Sequence, residues 1–250
     1  MADSVIVTVN NITKRFDELT VLEDVSVEVR RAENLIVFGK SGSGKSVLLK
    51  CIIGLMKPDA GTIYIHGKNV HELSFKGLSK VRKDIGFLFQ GAALYDSMTV
   101  RENLAFPLKR HFEEMTPKEI EDKVRYTLEL VSLEEAIEKM PSELSGGMKK
   151  RIGLARSIIT DPALMLYDEP TTGLDPITTK EISELILTLQ KKLNMTSIVV
   201  THDLICAEII ADRAIFLRDA KVAFEGTIEE LTKSEDPFLR NFFSHEIIKV

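Results

Sequence analysis

Apolar and polar positions alternate over Val5–Val9 and again over Val25–Val29, with a turn-rich stretch around Asp17 between them. Alternation with a period of two sets one strand face against a core and the other in water, so these segments predict early antiparallel strands. Leu35–Phe38 is a continuous apolar run ending in glycine, the pattern of a central strand buried on both faces. Similar runs occur at Leu164–Tyr167, Ile198–Thr201 and Ala214–Leu217. Elsewhere the period lengthens. Thr116-Pro117-Lys118-Glu119 reads as a capping box with proline at the first helical position. Ile120, Val124, Leu128 and Val131 follow at helical spacing, and a second helix starts at Asp175-Pro176 and carries Ile182, Leu185, Ile186, Leu189 and Leu193. Buried strands alternating with helices predict an α/β fold around a mostly parallel central sheet. The stretch from about 91 to 160 has helical patterns but no strand-like run, which predicts a helical insertion, and about 226–250 forms a C-terminal tail. No internal repeat is visible.

Composition narrows the class without naming a chemistry. The chain has 250 residues, 44% hydrophobic and 28% charged, so it is expected to form one ordered globular domain with no help from disulfides or structural metal. A net charge of −5 supplies no general field for nucleic acid or anionic membrane. Cys51 and Cys206 are the only cysteines and stand in no CxxC or Cys/His cluster, which predicts two buried free thiols in a reducing compartment. The N-terminus has no basic stretch followed by an apolar core, and no apolar run approaches the roughly 18–20 residues that span a bilayer. Work at a membrane would therefore need a partner to hold the chain there.

The sharpest chemical signal is Gly39-Lys40-Ser41-Gly42-Ser43-Gly44-Lys45-Ser46, a complete GxxxxGK[ST] loop. It follows a buried strand and opens the helical pattern Val47–Ile53, the setting a phosphate loop requires. Glycines let the backbone curl so that successive N–H groups point at phosphate oxygens, and the helix start adds its positive dipole end. Lys45 is placed to reach the β- and γ-phosphates, and the Ser46 hydroxyl to ligate Mg²⁺. A second acidic element completes the set. The run Ala163–Tyr167 ends in Asp168-Glu169, at the carboxyl edge where open α/β sheets bind ligands. Asp168 is expected to organise the Mg²⁺ through water and Glu169 to orient or deprotonate an attacking water.

Further segments resemble the motifs of ATP-binding-cassette (ABC) ATPases. Leu144-Ser145-Gly146-Gly147-Met148 resembles the LSGGQ signature, Gln90 after Ile85–Phe89 resembles the Q-loop, and Thr201-His202-Asp203 resembles the switch histidine. Asp175 in Gly173-Leu174-Asp175 resembles the D-loop, and Phe16 matches the aromatic that stacks on adenine. The motifs appear once each, in family order, across essentially the whole chain. The resemblance implies a single ABC ATPase domain over residues 1–250, with an N-terminal antiparallel β subdomain and a helical subdomain inserted at about 91–160. It implies ATP and Mg²⁺ as cofactors, Gln90 as a further magnesium ligand, and Glu169, His202, Gln90 and Lys45 as the catalytic group.

The resemblance also implies a homodimer. Ser145, Gly146 and Gly147 of one chain, with Asp175, would meet the ATP held by the partner's phosphate loop, so that two chains enclose two nucleotides head to tail. Met148 stands where the family has glutamine, so a polar contact to the partner's nucleotide is expected to give way to apolar packing. Phe89–Leu108 and Met140–Met148 are similar to the ATPases of Mla/Mce-type phospholipid transporters of bacterial envelopes. That similarity implies a multi-span permease docked in a groove near Gln90–Met98, with Leu94, Tyr95 and Met98 as its apolar floor. It implies an Mce-domain protein and a small accessory subunit as further partners, and a peripheral location on the cytoplasmic face of the inner membrane. An importer for a small polar solute is the alternative within the family. A soluble ABC protein acting on DNA or the ribosome is less favoured, with one phosphate loop and about 120 residues between Lys45 and Asp168.

Overall fold

The computed structural model describes residues 4–247. β1 (Val5–Phe16) and β2 (Leu19–Arg30) form the antiparallel hairpin that the alternation predicts, turning at Asp17 and Glu18. Both strands run further than the strict alternation. Asn11 takes a positive φ of 49°, and the register shifts between Val9 and Ile12, so that these two residues, three apart, are both buried. A β-bulge of this kind resets which positions face inward, which hides the second half of the strand from a period-two reading.

The chain continues through β3 (Asn34–Gly39), α1 (Lys45–Ile52), β4 (Ala60–Ile65), β5 (Lys68–Asn69), α2 (Phe75–Lys83) and β6 (Ile85–Leu88). Next come α3 (Val100–His111), α4 (Pro117–Leu130), α5 (Gly146–Ile158), β7 (Leu164–Asp168), α6 (Pro176–Leu193) and β8 (Thr196–Val200). It closes with α7 (Leu204–Ile210), β9 (Arg213–Arg218), β10 (Lys221–Gly226), α8 (Ile228–Thr232) and α9 (Pro237–Ile247). The N-terminal strands form a four-stranded antiparallel sheet in the order β2-β1-β4-β5. A second sheet has the order β10-β9-β3-β8-β7-β6, parallel throughout except for the antiparallel edge strand β10. Between β6 and β7 the described residues are helices and turns without a strand.

The central sheet is buried on both faces, and its side chains sort by parity. Leu35, Val37, Leu164, Leu166, Ile198, Val200, Ile215 and Leu217 point into a core shared with α1 and the antiparallel sheet. Ile36, Phe38, Met165, Tyr167, Val199, Ala214 and Phe216 point the other way, into a core shared with α3–α7 and the C-terminal helices. Every residue of β3 and β8 is buried, which is why both read as unbroken apolar runs. The capping box before α4 forms as expected, Thr116 and Glu119 each satisfying the other's backbone N–H. Cys51 and Cys206 are both buried and unpaired with each other.

Candidate functional site

The parallel strands β3, β8 and β7 lie side by side, so Gly39, Asp168 and the residues after Val200 emerge at one edge. The phosphate loop bridges β3 to α1 at that edge. Gly39 sits against β9, where a Cβ would lie 2.8 Å from the Leu217 carbonyl oxygen. Gly44 caps α1 at φ 97°, and a Cβ there would lie 2.7 Å from the Val21 carbonyl oxygen. Only glycine fits the left-handed turn that starts α1 while its backbone lies against β2.

Lys45 is only 7% exposed. Its Nζ donates to the carbonyl oxygens of Gly39 (2.8 Å) and Lys40 (3.2 Å) and lies 3.5 Å from Glu169 Oε1. The Ser46 hydroxyl donates to Asp168 Oδ1 at 2.8 Å, joining the phosphate loop to the acidic strand end across 122 positions of sequence. The second Glu169 oxygen lies 2.8 Å from His202 Nδ1 and accepts from the Thr172 hydroxyl at 3.3 Å. Burial pushes the Glu169 carboxyl pKa up, but the His202 hydrogen bond and charge, with the charge of Lys45, outweigh it and hold the group below its ordinary value. Glu169 also holds φ at 52°, fixed by its N–H on the Val200 carbonyl. A glutamate in the left-handed region carries local strain of the kind that collects at functional positions.

Lys45, Ser46, Gln90, Glu169 and His202 line one cavity of about 920 Å³ beside the phosphate loop. Lys40, Ser41, Gly42 and Gly44 line it too, and Ser43 lines an adjoining one. The oxygens at this edge suit a hard cation: the Ser46 hydroxyl and Gln90 amide line the cavity, and the Asp168 carboxylate stands behind them on its hydrogen bond from Ser46, all oxygen ligands of the kind Mg²⁺ takes. Among the described residues no cluster of three or more His, Cys, Asp or Glu could hold a metal, so a Mg²⁺ here would draw its other oxygens from nucleotide and water.

The remaining sequence-predicted residues lie elsewhere. Ser145 caps α5, its hydroxyl accepting from Met148 N–H at 3.3 Å, so Gly146 and Gly147 form the first turn of that helix. Asp175 caps α6, Oδ1 accepting from the N–H groups of Ile177 and Thr178, and its carboxyl is held below the usual range by the Thr178 hydroxyl and these N–H donors. The two caps are neighbours, since a Cβ on Gly147 would lie 3.1 Å from Thr178 Cγ2. Neither they nor Phe16, which is 42% exposed at the end of β1, line the Lys45 cavity. Each chain thus presents two separate surfaces, a phosphate loop with its acids and a pair of helix N-termini. Met148 packs against the core of its own chain.

The expected apolar floor near Gln90 divides. Leu94 packs into the helical part of the core, while Tyr95 stays 40% exposed against Phe106 at 5.1 Å between ring centres. One feature escaped the sequence reading. Lys150 on α5, 7% exposed, donates to the carbonyl oxygens of Gln90 (2.5 Å) and Glu169 (3.4 Å). Its signal was a lysine four positions before Leu154, on the buried face of the helix. The C-terminal stretch Pro237–Phe243, aromatic-rich in sequence and open there between packing on its own domain and touching a partner, packs on its own domain: α9 brings Phe238, Asn241 and Phe242 to the wall of the Lys45 cavity.

Comparison with known proteins identifies a family and a shared fold. The family described as "ABC transporter" matches residues 22–172. The chain is 39% identical over 244 residues to the "probable ribonucleotide transport ATP-binding protein mkl" of Mycobacterium leprae, covering 98% of this chain and 70% of that one. Against the Mycobacterium tuberculosis protein of the same name the chain spans 66% of the relative's length. It is 40% identical over 241 residues to the "intermembrane phospholipid transport system ATP-binding protein MlaF" of Haemophilus influenzae, covering 96% of this chain and 91% of the relative. In three dimensions it is similar to the dimeric ATP-binding cassette MJ0796 in a post-hydrolysis state bound to ADP and Pi. That match has a TM-score of 0.82 and 33% identity, over 89% of this chain and 99% of the other.

Proposed function

This chain belongs to the ABC transporter family, and on that premise we propose that it drives a permease moving phospholipid or similar hydrophobic cargo between bacterial membranes. It is the ATPase subunit of an ABC transporter, and the finer reading concerns its cargo, its site chemistry and its assembly. The observation that carries the site reading is the Glu169 carboxylate, held between Lys45 Nζ at 3.5 Å and His202 Nδ1 at 2.8 Å on the wall of the cavity.

The phosphate loop and Lys45 bind the β- and γ-phosphates of ATP. Ser46 and Asp168, already hydrogen-bonded, and Gln90 would hold Mg²⁺, which would supply positive charge against the phosphates. When phosphates take over Lys45, the Glu169 carboxylate is released to accept a hydrogen bond from the attacking water and orient it in line. His202 keeps that carboxylate ionised and reads the γ-phosphate. The Ser145 helix start and Asp175 act on the partner's nucleotide, so two chains close over two ATP molecules and part after hydrolysis. Both this half-site layout and the dimeric cassette MJ0796 support that reading. Among the described residues no helix is long and apolar enough to cross a membrane. The permease holds the chain at the cytoplasmic face, docking beside Gln90 and the exposed Tyr95.

The cargo reading rests on the 40% identity to a phospholipid-system ATPase across most of both chains. Transport of a small polar solute is the second reading, favoured by the name of the mycobacterial relative. Purification of tagged protein from its own membranes in mild detergent, with mass spectrometry of co-purifying chains and lipids, separates them. A permease carrying an Mce-domain protein, an accessory subunit and bound phospholipid is the expected result. A permease with a soluble solute-binding protein would overturn the cargo and leave the ATP site intact.

A further inference from the structure

Helix α9 packs its aromatic residues against the strand that leads into the phosphate loop. Phe242 and Phe243 lie across Phe38 and Phe216, with Phe38 to Phe243 ring centres at 5.4 Å and Phe216 to Phe242 at 5.0 Å. Phe38 is the last residue before the phosphate loop. One turn earlier, Phe238 meets the loop itself: the Lys40 ammonium sits 4.7 Å from the centre of its ring. The Arg218 guanidinium lies 5.0 Å from the same ring and pairs with Asp236 at 3.3 Å. Asp236 in turn accepts from the N–H groups of Phe238 and Leu239, fixing the start of α9. The helix therefore holds both residues that flank Gly39, one through edge-to-face aromatic contacts and the other through a cation on a ring. Phe238, Asn241 and Phe242 also face the cavity shared by Lys45, Gln90, Glu169 and His202.

We infer that α9 is a working part of the nucleotide site, and that Phe238 is a positioning residue which holds the phosphate loop, through Lys40, in the shape that receives the triphosphate. The physical reason is preorganisation. A loop of glycines and serines has wide conformational freedom, and each residue fixed before binding lowers the entropy lost when phosphate arrives. A ring that takes Lys40 on one side and is tied by Arg218 and Asp236 to β9 supplies such a fixed point. This inference rests on the ATP-site reading and extends it to a segment that none of the sequence motifs includes.

The test measures equilibrium binding of MgATP, together with kcat and KM, on the full chain and on Phe238→Leu, Phe238→Ala, Phe238→Tyr, Lys40→Ala and Lys40→Ala/Phe238→Ala. Wild type must bind and Lys45→Ala must not; a wild type that fails to bind MgATP overturns the ATP-site reading and this inference with it. Given binding, Phe238→Leu and Phe238→Ala are expected to weaken ATP roughly three- to tenfold, the size of a partly desolvated cation–ring contact. KM should rise with kcat little changed, and Phe238→Tyr should stay near wild type. The double variant should be no weaker than Lys40→Ala alone, because the two residues act through one contact. Wild-type affinity in Phe238→Leu would show that apolar filling suffices and overturn the inference. Additive losses in the double variant would do the same. Tighter ATP binding in Phe238→Ala would make α9 a competitor for the site instead of its support.

Discussion

The ammonium of Lys150 lies 2.5 Å from the Gln90 carbonyl oxygen and 3.4 Å from that of Glu169, so one buried lysine on the signature helix ties together two strand ends of the ATP site. Burial pulls the Lys150 pKa down, and the Glu169 charge pulls back the other way. A buried cation with carbonyl partners is costly to place and costly to remove. Lys150→Met keeps the stem and deletes the donor, leaving two partly buried carbonyls unserved. The expected loss is about 1–3 kcal/mol of unfolding free energy, with turnover falling further than stability alone would explain. Denaturant unfolding and steady-state ATPase on the same preparation check both. Unchanged turnover in a destabilised variant would reduce Lys150 to a packing role.

Glu169→Gln removes the carboxylate proposed as base but keeps the shape, so nucleotide should still bind while turnover falls by at least about a hundredfold, within the range for a general base. The same residue makes a pH statement. Its folded pKa lies below the ordinary 4.5, so its stabilising contribution is complete above that value and is lost as pH falls through the lower, folded one. Thermal melts of wild type and Glu169→Gln should therefore differ above that value and converge only in acid below about 4.5. Convergence already near pH 6 would contradict the depressed pKa.

At the start of α1, Gly44→Ala places a methyl 2.7 Å from the Val21 carbonyl oxygen at a φ of 97°. Backbone strain of about 1–2 kcal/mol adds to that clash, and the first turn of the helix must shift away from β2. Affinity for MgATP should drop more than tenfold by equilibrium binding. Gly42→Ala is the internal control: its φ is 80°, but nothing lies within 4 Å of the added methyl. Its affinity loss should be smaller, and equal losses would mean that the close approach to Val21 has no part in shaping the loop.

The central strands were legible because parallel strands buried on both faces leave unbroken apolar runs, as in Leu35–Phe38 and Ile198–Val200. β10 was not, since its residues alternate between exposed and half-buried at a sheet edge. β4 was missed because it opens on exposed Ala60 and Gly61. The phosphate loop and the acidic pair were legible because their chemistry is written in contiguous residues. Lys150 was not, because its carbonyl partners lie 60 and 19 positions away and are brought to it only by the fold. The role of Phe238 depends in the same way on Lys40 and Arg218, which no local spacing connects to it.

The two cysteines give a test of how tightly both cores close. Cys51 is fully buried at the end of α1, and burial pushes its thiol up to about 11, against a smaller opposing pull from Lys14. Cys206 on α7 is fully buried too, its thiol pushed up to about 12 by burial with little relief from Ser183. At pH 8 neither thiol holds an appreciable thiolate population, and reagent cannot reach either sulfur without an opening of the core. Native protein should thus leave a thiol-specific chromogenic reagent essentially unreacted over minutes, while protein in denaturant should release two equivalents at once. Cys51 reports on the core under the phosphate loop and Cys206 on the core beneath His202. One equivalent reacting rapidly in the native state, mapped by mass spectrometry to Cys51, would show that α1 opens without nucleotide and would contradict the packing described for it.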